Sequence, residues 1–168
     1  MEETTVLGPG ASSEPRRRLV TKTPWEEPIA EGDPMGSDDK IKTIQSIYEA
    51  FGRGDLGTIL DAVTDDVDWA SDTSSTVAPW YGVKHGKDGV TSFFEAYGST
   101  MEVDEFTPIT FAANEDAVFT VVRCRARARA TQKPVDMNLH HYFRFRGDKI
   151  FYYRGTEDSA QTEAALRS

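Results

Sequence analysis

His141 is the residue best placed for proton chemistry. Along residues 135–145, Met137, Leu139, His141, Phe143 and Phe145 alternate with Asp136, Asn138, His140, Tyr142 and Arg144. In an extended chain those two sets point to opposite sides. The apolar set is the inner one, which places His141 among core side chains, where a polar group needs a partner. An imidazole there can donate a hydrogen bond or carry a proton near neutral pH. His140 points the other way, towards the surface. Residues 121–130 alternate in the same manner, with Arg123, Arg125, Arg127 and Arg129 on one side and Val122, Cys124, Ala126 and Ala128 on the other. Unpaired charge is costly to bury, so the arginines face out and the small residues face in. That leaves room for a ligand, or for large side chains from an opposing layer. The arginine row is either a solvated face that pairs with acids of a partner subunit or a patch for an anionic partner.

Other chemistries find no support. Cys124 is flanked by arginines that point to the opposite face, so it reads as a buried structural thiol rather than a nucleophile. The three histidines show neither HExxH nor facial-triad spacing, and no metal site or cofactor is expected. Gly52 and Gly54 lack the preceding strand and the further glycine of a dinucleotide loop. No phosphate-binding loop and no Ser-His-Asp ordering occurs. A formal charge of −9 argues against nucleic-acid binding by phosphate neutralisation. There is no apolar run of the length that spans a membrane. Glu2 and Glu3 stand where a secretory signal would be basic. One cysteine excludes an internal disulfide framework, and the cytoplasm is the expected compartment.

The elements that must position His141 can be read from spacing. Ile41, Ile44, Ile47, Tyr48 and Phe51 recur at three- and four-residue steps and make one face of a helix, with Ser37 as its expected N-cap. Gly52 and Gly54 stop it. Asp55 caps a shorter helix carrying Leu56, Ile59, Leu60 and Val63. After Asp65-Asp66 the pattern turns to alternation, with Val67 and Trp69 on one side. Residues 70–78 form a polar loop, Pro79-Trp80-Tyr81-Gly82 leads to His85-Gly86, and 87–97 forms a third helix burying Val90, Phe93 and Phe94. Strands follow over 101–112, 117–130, 135–146 and 149–156, the last two joined by a tight turn at Gly147-Asp148, and 158–166 closes the chain as a helix. Residues 1–36, with four prolines and glycines before Arg16-Arg17-Arg18, read as a flexible leader on which only Trp25 looks suited to docking. The expected domain is 37–168, of α+β class: helices first, then a strongly bent, mainly antiparallel sheet.

The segments "YEAFGRGDLGTIL", "TDDVDW" and "PWYGVKHGKDGVTSFFEAY", with the ending "GDKIFYYRGTEDSAQTEAAL", resemble in order and spacing a SnoaL-like domain. That family belongs to the ketosteroid isomerase and nuclear transport factor 2-like superfamily. The resemblance implies a cone-shaped roll in which a curved sheet and about three helices enclose an apolar pocket for a small ligand. It places His141 where ketosteroid isomerases carry a pocket-facing, protonated aspartate, the handling of a neutral acid described for that enzyme. The isomerase's catalytic base falls on Ser71, one residue before Asp72, and Asp72 is a candidate base only if the strand ends or bulges before it. The isomerase's helix tyrosine falls on Ile47, beside Tyr48, which is either core or a ligand contact. By the same analogy Tyr153 and Glu157 face inward, and His141–Glu157 is the leading acid/base pair, the carboxylate raising the histidine's pKa. Trp69, Trp80, Tyr81 and Phe94 are expected walls, with His85 a donor at the rim or a solvated loop residue. The Asp-Arg-Asp set of limonene-epoxide hydrolases finds no matching inward residues.

Two functions follow as expectations. One is a cofactor-independent isomerase or cyclase acting on a small apolar or aromatic carbonyl compound, with His141 and Glu157 or Asp72 moving the proton. The other is a binding or assembly module of the same fold without turnover. Dimerisation through the outer face of the sheet is compatible with both.

Overall fold

The computed structural model describes residues 35–168. The leader expected over residues 1–36, with Trp25, lies almost entirely outside the described residues. Apolar spacing of three and four makes α1 (Ser37–Arg53) an amphipathic helix whose Ile44, Ile47 and Ala50 are buried. Gly54 ends it in the left-handed conformation (φ 69°), where its N–H reaches back to the carbonyls of Ala50 and Phe51. Ser37 is not the N-cap. Gly36 occupies that position in extended conformation, and the Ser37 hydroxyl donates instead to the carbonyl of Asn114 at 3.3 Å. Asp55 does cap α2 (Leu56–Asp61), its carboxylate accepting from the N–H of Thr58.

The remaining elements are β1 (Val63–Ser71), β2 (Gly82–His85), α3 (Gly86–Thr100), β3 (Met101–Ala113), β4 (Ala117–Ala128), β5 (Pro134–Arg146), β6 (Lys149–Thr156) and α4 (Ser159–Leu166). β1 starts at Val63, before the acidic pair at which the alternation was expected to begin. β2 has no counterpart in the sequence reading, because four residues with mostly exposed side chains leave no alternation to detect. The six strands form one sheet in the order β2-β1-β6-β5-β4-β3, antiparallel except for the parallel pair β1–β6. Helices α1 and α3 lie against one face, α1 over β3 and β4 and α3 over β1. The α+β class and the helix-packed bent sheet are as the sequence implies.

Parity along β4 is as expected: Val122, Cys124, Ala126 and Ala128 are buried at 0–2 % exposure. The arginines of the outer face find their acids on neighbouring strands of the same sheet rather than needing a second subunit. Arg123 pairs with Asp136, Arg125 with Glu105 and Asp136, and Arg127 with Asp104 at 2.9 Å. The Arg129 Nε donates to the carbonyl of Gly98.

Candidate active site

Register across the sheet brings the inward side chains into two transverse rows. Trp69 of β1 stands opposite Tyr153 of β6, which stands opposite Phe143 of β5. Two residues along each strand, Ser71, Gly155 and His141 form the second row. The Trp69 and Tyr153 rings stack at 3.9 Å with 24° between planes. Gly155 has a particular duty between the rows: a Cβ there would collide with the hydroxyl of Tyr153, so the missing side chain is the space that hydroxyl occupies. Over these rows lie Tyr48 and Phe51 of α1 and Phe93, Phe94 and Tyr97 of α3. Together with Trp80 they enclose an aromatic cavity of about 70 Å³.

His141 is buried, and its Nδ1 lies 2.8 Å from the Tyr48 hydroxyl. Burial, reinforced by neighbouring His140, lowers the His141 pKa from the ordinary 6.5 to about 3, so the ring is neutral at physiological pH. Burial pushes the phenol of Tyr48 up, so that group keeps its proton. A protonated phenol whose nearby acceptor is Nδ1 donates to it. The imidazole proton is thereby assigned to Nε2, a neutral N–H donor.

Glu157 follows β6 and precedes the N-cap of α4, Asp158, whose side chain accepts from the N–H of Gln161. One carboxylate oxygen, Oε1, accepts from the Tyr81 hydroxyl and, at 2.7 Å, from the Thr162 hydroxyl of α4. The pKa of Tyr81 is raised by burial and then by its bond to Glu157 and that residue's charge. Tyr97 and Tyr153 are likewise raised, chiefly by burial, with the Glu157 charge contributing to both. The carboxylate thus sits within a group of tyrosines at one end of the cavity. Cys124 is held protonated, burial raising its pKa to about 11, and it shares a hydrogen bond with Tyr97, in keeping with a structural thiol.

Seven of the residues singled out in the sequence line this cavity: Tyr48, Trp69, Trp80, Phe94, His141, Tyr153 and Glu157. Tyr81 stands behind Glu157 as its donor rather than in the wall. His141 and Glu157, expected as an acid/base pair, both line the cavity, but no hydrogen bond joins them among the described residues. Each group has other partners, and His141 is shifted down rather than up, with Glu157 not among the causes. The physical reason is register: His141 pairs with Gly155, while Glu157 lies two residues further, beyond the strand end and tied to α4.

Asp72 also departs from expectation. β1 ends at Ser71, which faces the cavity, but the N–H of Asp72 still continues the ladder to the carbonyl of Gly155. Asp72 therefore projects to the outer face, into a groove with His140, Tyr142 and Arg154. His85 is exposed at the start of α3 and is not part of the cavity wall. Phe51, Tyr97, Phe106 and Phe143 also line the cavity and were missing from the sequence-based set. Phe51 and Phe143 were legible from periodicity as inward residues, but periodicity does not separate wall from core. Among the described residues, no cluster of three His, Cys, Asp or Glu side chains could hold a metal ion.

The sequence profile of the SnoaL-like domain family matches residues 44–153, a span that contains His141 and stops short of Glu157. No curated protein sequence matches the chain. Among solved structures, a nuclear transport factor 2-like protein of unknown function from Burkholderia pseudomallei is similar at a TM-score of 0.72 and 23 % identity, over 80 % of this chain and all of that one (100 %). A putative polyketide cyclase from Xanthomonas campestris pv. campestris aligns at a TM-score of 0.64 and 15 % identity, over 78 % of this chain and 98 % of its own. TerC co-crystallised with polyporic acid aligns at 0.68 and 19 %, over 77 % of this chain and 99 % of its own.

Proposed function

The chain belongs to the SnoaL-like domain family, and from that premise we propose that it is a cofactor-independent isomerase or cyclase acting on a small, neutral, mainly aromatic carbonyl compound. The observation that carries this reading is the pairing of a neutral N–H donor with a carboxylate in one aromatic cavity. The donor is His141 Nε2, oriented by Tyr48; the carboxylate is Glu157, held by Tyr81 and Thr162.

The chemistry divides between them. The substrate carbonyl oxygen accepts from His141 Nε2–H. Glu157 removes a proton from the carbon next to that carbonyl, the C–H electron pair moves into the enolate, and the developing charge on oxygen is met by the same N–H. Glu157 then returns the proton to a different carbon, which is isomerisation, or the enolate carbon bonds to a second carbonyl carbon, whose oxygen gains the displaced electron pair and takes the proton back from Glu157, which is cyclisation. Oε1 carries both hydroxyl bonds, so Oε2 is the oxygen that takes the proton. A histidine with so low a pKa is a poor base, which is why the carboxylate takes that role and His141 serves as electrophile. Neither branch changes the overall oxidation level of the substrate, so no redox partner is required.

Exchange of the α-protons of 1-tetralone in D2O, followed by NMR, tests this without knowledge of the natural product. The protein should accelerate exchange, and Glu157→Gln should slow it by about 10²-fold or more. His141→Ala should cost a comparable factor through loss of the oxyanion donor, while Asp72→Asn should leave the rate unchanged. Exchange by Glu157→Gln at the wild-type rate would rule out this base.

One observation favours a second reading. Ser71 stands where the resemblance places the isomerase's base, which suits a small-ligand-binding module without turnover. Binding of tetralone with no exchange would select it. We further propose a homodimer formed through the outer face of the sheet and a cytoplasmic location.

A further inference from the structure

The cavity at His141 is too small for the ligand class its walls suit. Its volume is about 70 Å³, whereas a cavity of about 150 Å³ is known to take one benzene ring. Immediately outside lies a groove of about 570 Å³, bounded by the end of α1, α2, α3 and β3. The two spaces share four side chains, Phe51, Phe94, Tyr97 and Phe106, which form the partition between them.

The partition is the softer wall. Trp69, Trp80, Phe143 and Tyr153 on the far side are each at most 5 % exposed, while all four partition residues are only partly buried. Phe51 touches each of the other three, Phe106 at 4.9 Å, Phe94 at 5.8 Å and Tyr97 at 6.2 Å, through tilted ring contacts with no hydrogen bond to break. It is followed by Gly52, and a side chain added at Gly52, Gly54 or Gly98 along the groove would meet nothing within 4 Å. The rotating ring therefore has somewhere to go.

We propose that this groove is the outer half of the ligand site. Phe51 is the residue that sets ligand size: it swings aside so that a second ring lies in the groove while the carbonyl reaches His141. The ligand class is a neutral molecule of two or more fused planar rings. Neutrality follows from the groove's charges. Asp104 and Glu105 on its wall are engaged by Arg127 and Arg125, Arg129 has its Nε bonded to the Gly98 carbonyl, and Glu95 adds a negative charge, so the groove holds no surplus of base for an anionic substituent. This inference rests on the reading of the inner cavity as the site of chemistry.

The test compares 1-tetralone, with two rings, and acetone, with none, by NMR on wild type, Phe51→Trp and Phe51→Ala. His141 Nε2 reports the inner cavity, and the amides of Gly52 and Gly98 report the groove. Tetralone should shift both sets in wild type and acetone only His141. Phe51→Trp should weaken tetralone by about tenfold, the scale of one aromatic contact, and spare acetone. Phe51→Ala should bind tetralone more tightly than wild type. If tetralone moves His141 but not the glycines, or binds all three proteins alike, the groove inference is overturned and the cavity reading stands. If neither ketone moves His141 in any of the proteins, the cavity reading falls and takes the inference with it.

Discussion

His141 and Tyr48 form a unit whose consequences appear in stability as well as in binding. In the unfolded chain a histidine takes up its proton near pH 6.5, and in the folded protein His141 holds out to about 3. Acid therefore favours unfolding. The contribution is fully present above pH 6.5 and is lost as pH falls towards 3, at about 1.4 kcal/mol per pH unit inside that window. Urea unfolding of wild type and His141→Gln at pH 7, 6, 5 and 4 should show that extra slope only in wild type. Parallel slopes would mean that the imidazole is not held neutral. At this scale, the inward direction of His141 and Trp69 was legible from alternation, and that of Tyr153 from the family resemblance. The partner of His141 was not. Whether a side chain 93 positions away in the sequence reaches Nδ1 depends on how α1 crosses the sheet, which no local pattern records. Asp72 shows the same limit in another form: parity puts Ser71 inside, and although β1 ends there, the next residue keeps the ladder's parity and faces out.

α4 does more than close the chain. Its Thr162, buried and five residues from Glu157, anchors the carboxylate, and its cap Asp158 is the next residue in sequence. Thr162→Val should leave the fold nearly intact, at a cost of about 1 kcal/mol for one hydrogen bond. It should lower tetralone exchange by slackening the base, with kcat falling more than KM rises. An unchanged kcat in the presence of lost stability would reduce Thr162 to a structural role. The helical pattern of 158–166 was visible in sequence, as were α1, α2, α3 and the four long strands. β2 was not, being too short and too exposed to alternate. The parallel pairing of β1 with β6 was also hidden, since partner choice depends on strand order rather than on the composition of either strand.

At the scale of the molecule, the outer face of the sheet is the surface to watch. Its arginines on β4 are matched by acids of the same chain, so they do not demand an acidic partner. Phe119, 42 % exposed and stacked on His140, offers an apolar contact beside them. The proposed homodimer should dissociate on Phe119→Glu, as read by sedimentation velocity across a concentration series. A wild-type monomer at every concentration would sink the proposal. Among the described residues no helix is long and apolar enough to cross a membrane. The fold was the most legible property of all, because four segments in one order restrict the architecture while each alone restricts little.

The parallel β1–β6 pair has a consequence for how the protein is made. These strands are neighbours in space, yet residues 63–71 leave the ribosome long before residues 149–156. Throughout that interval β1 has an open edge on its β6 side, and Trp69 lacks Tyr153. Unpaired edges and uncovered aromatic faces are what nascent chains aggregate through. The nascent chain therefore stays vulnerable until its last strand is translated, and a pause late in the message would be more damaging than one early in it. Chaperone demand during synthesis should accordingly fall sharply once β6 has emerged.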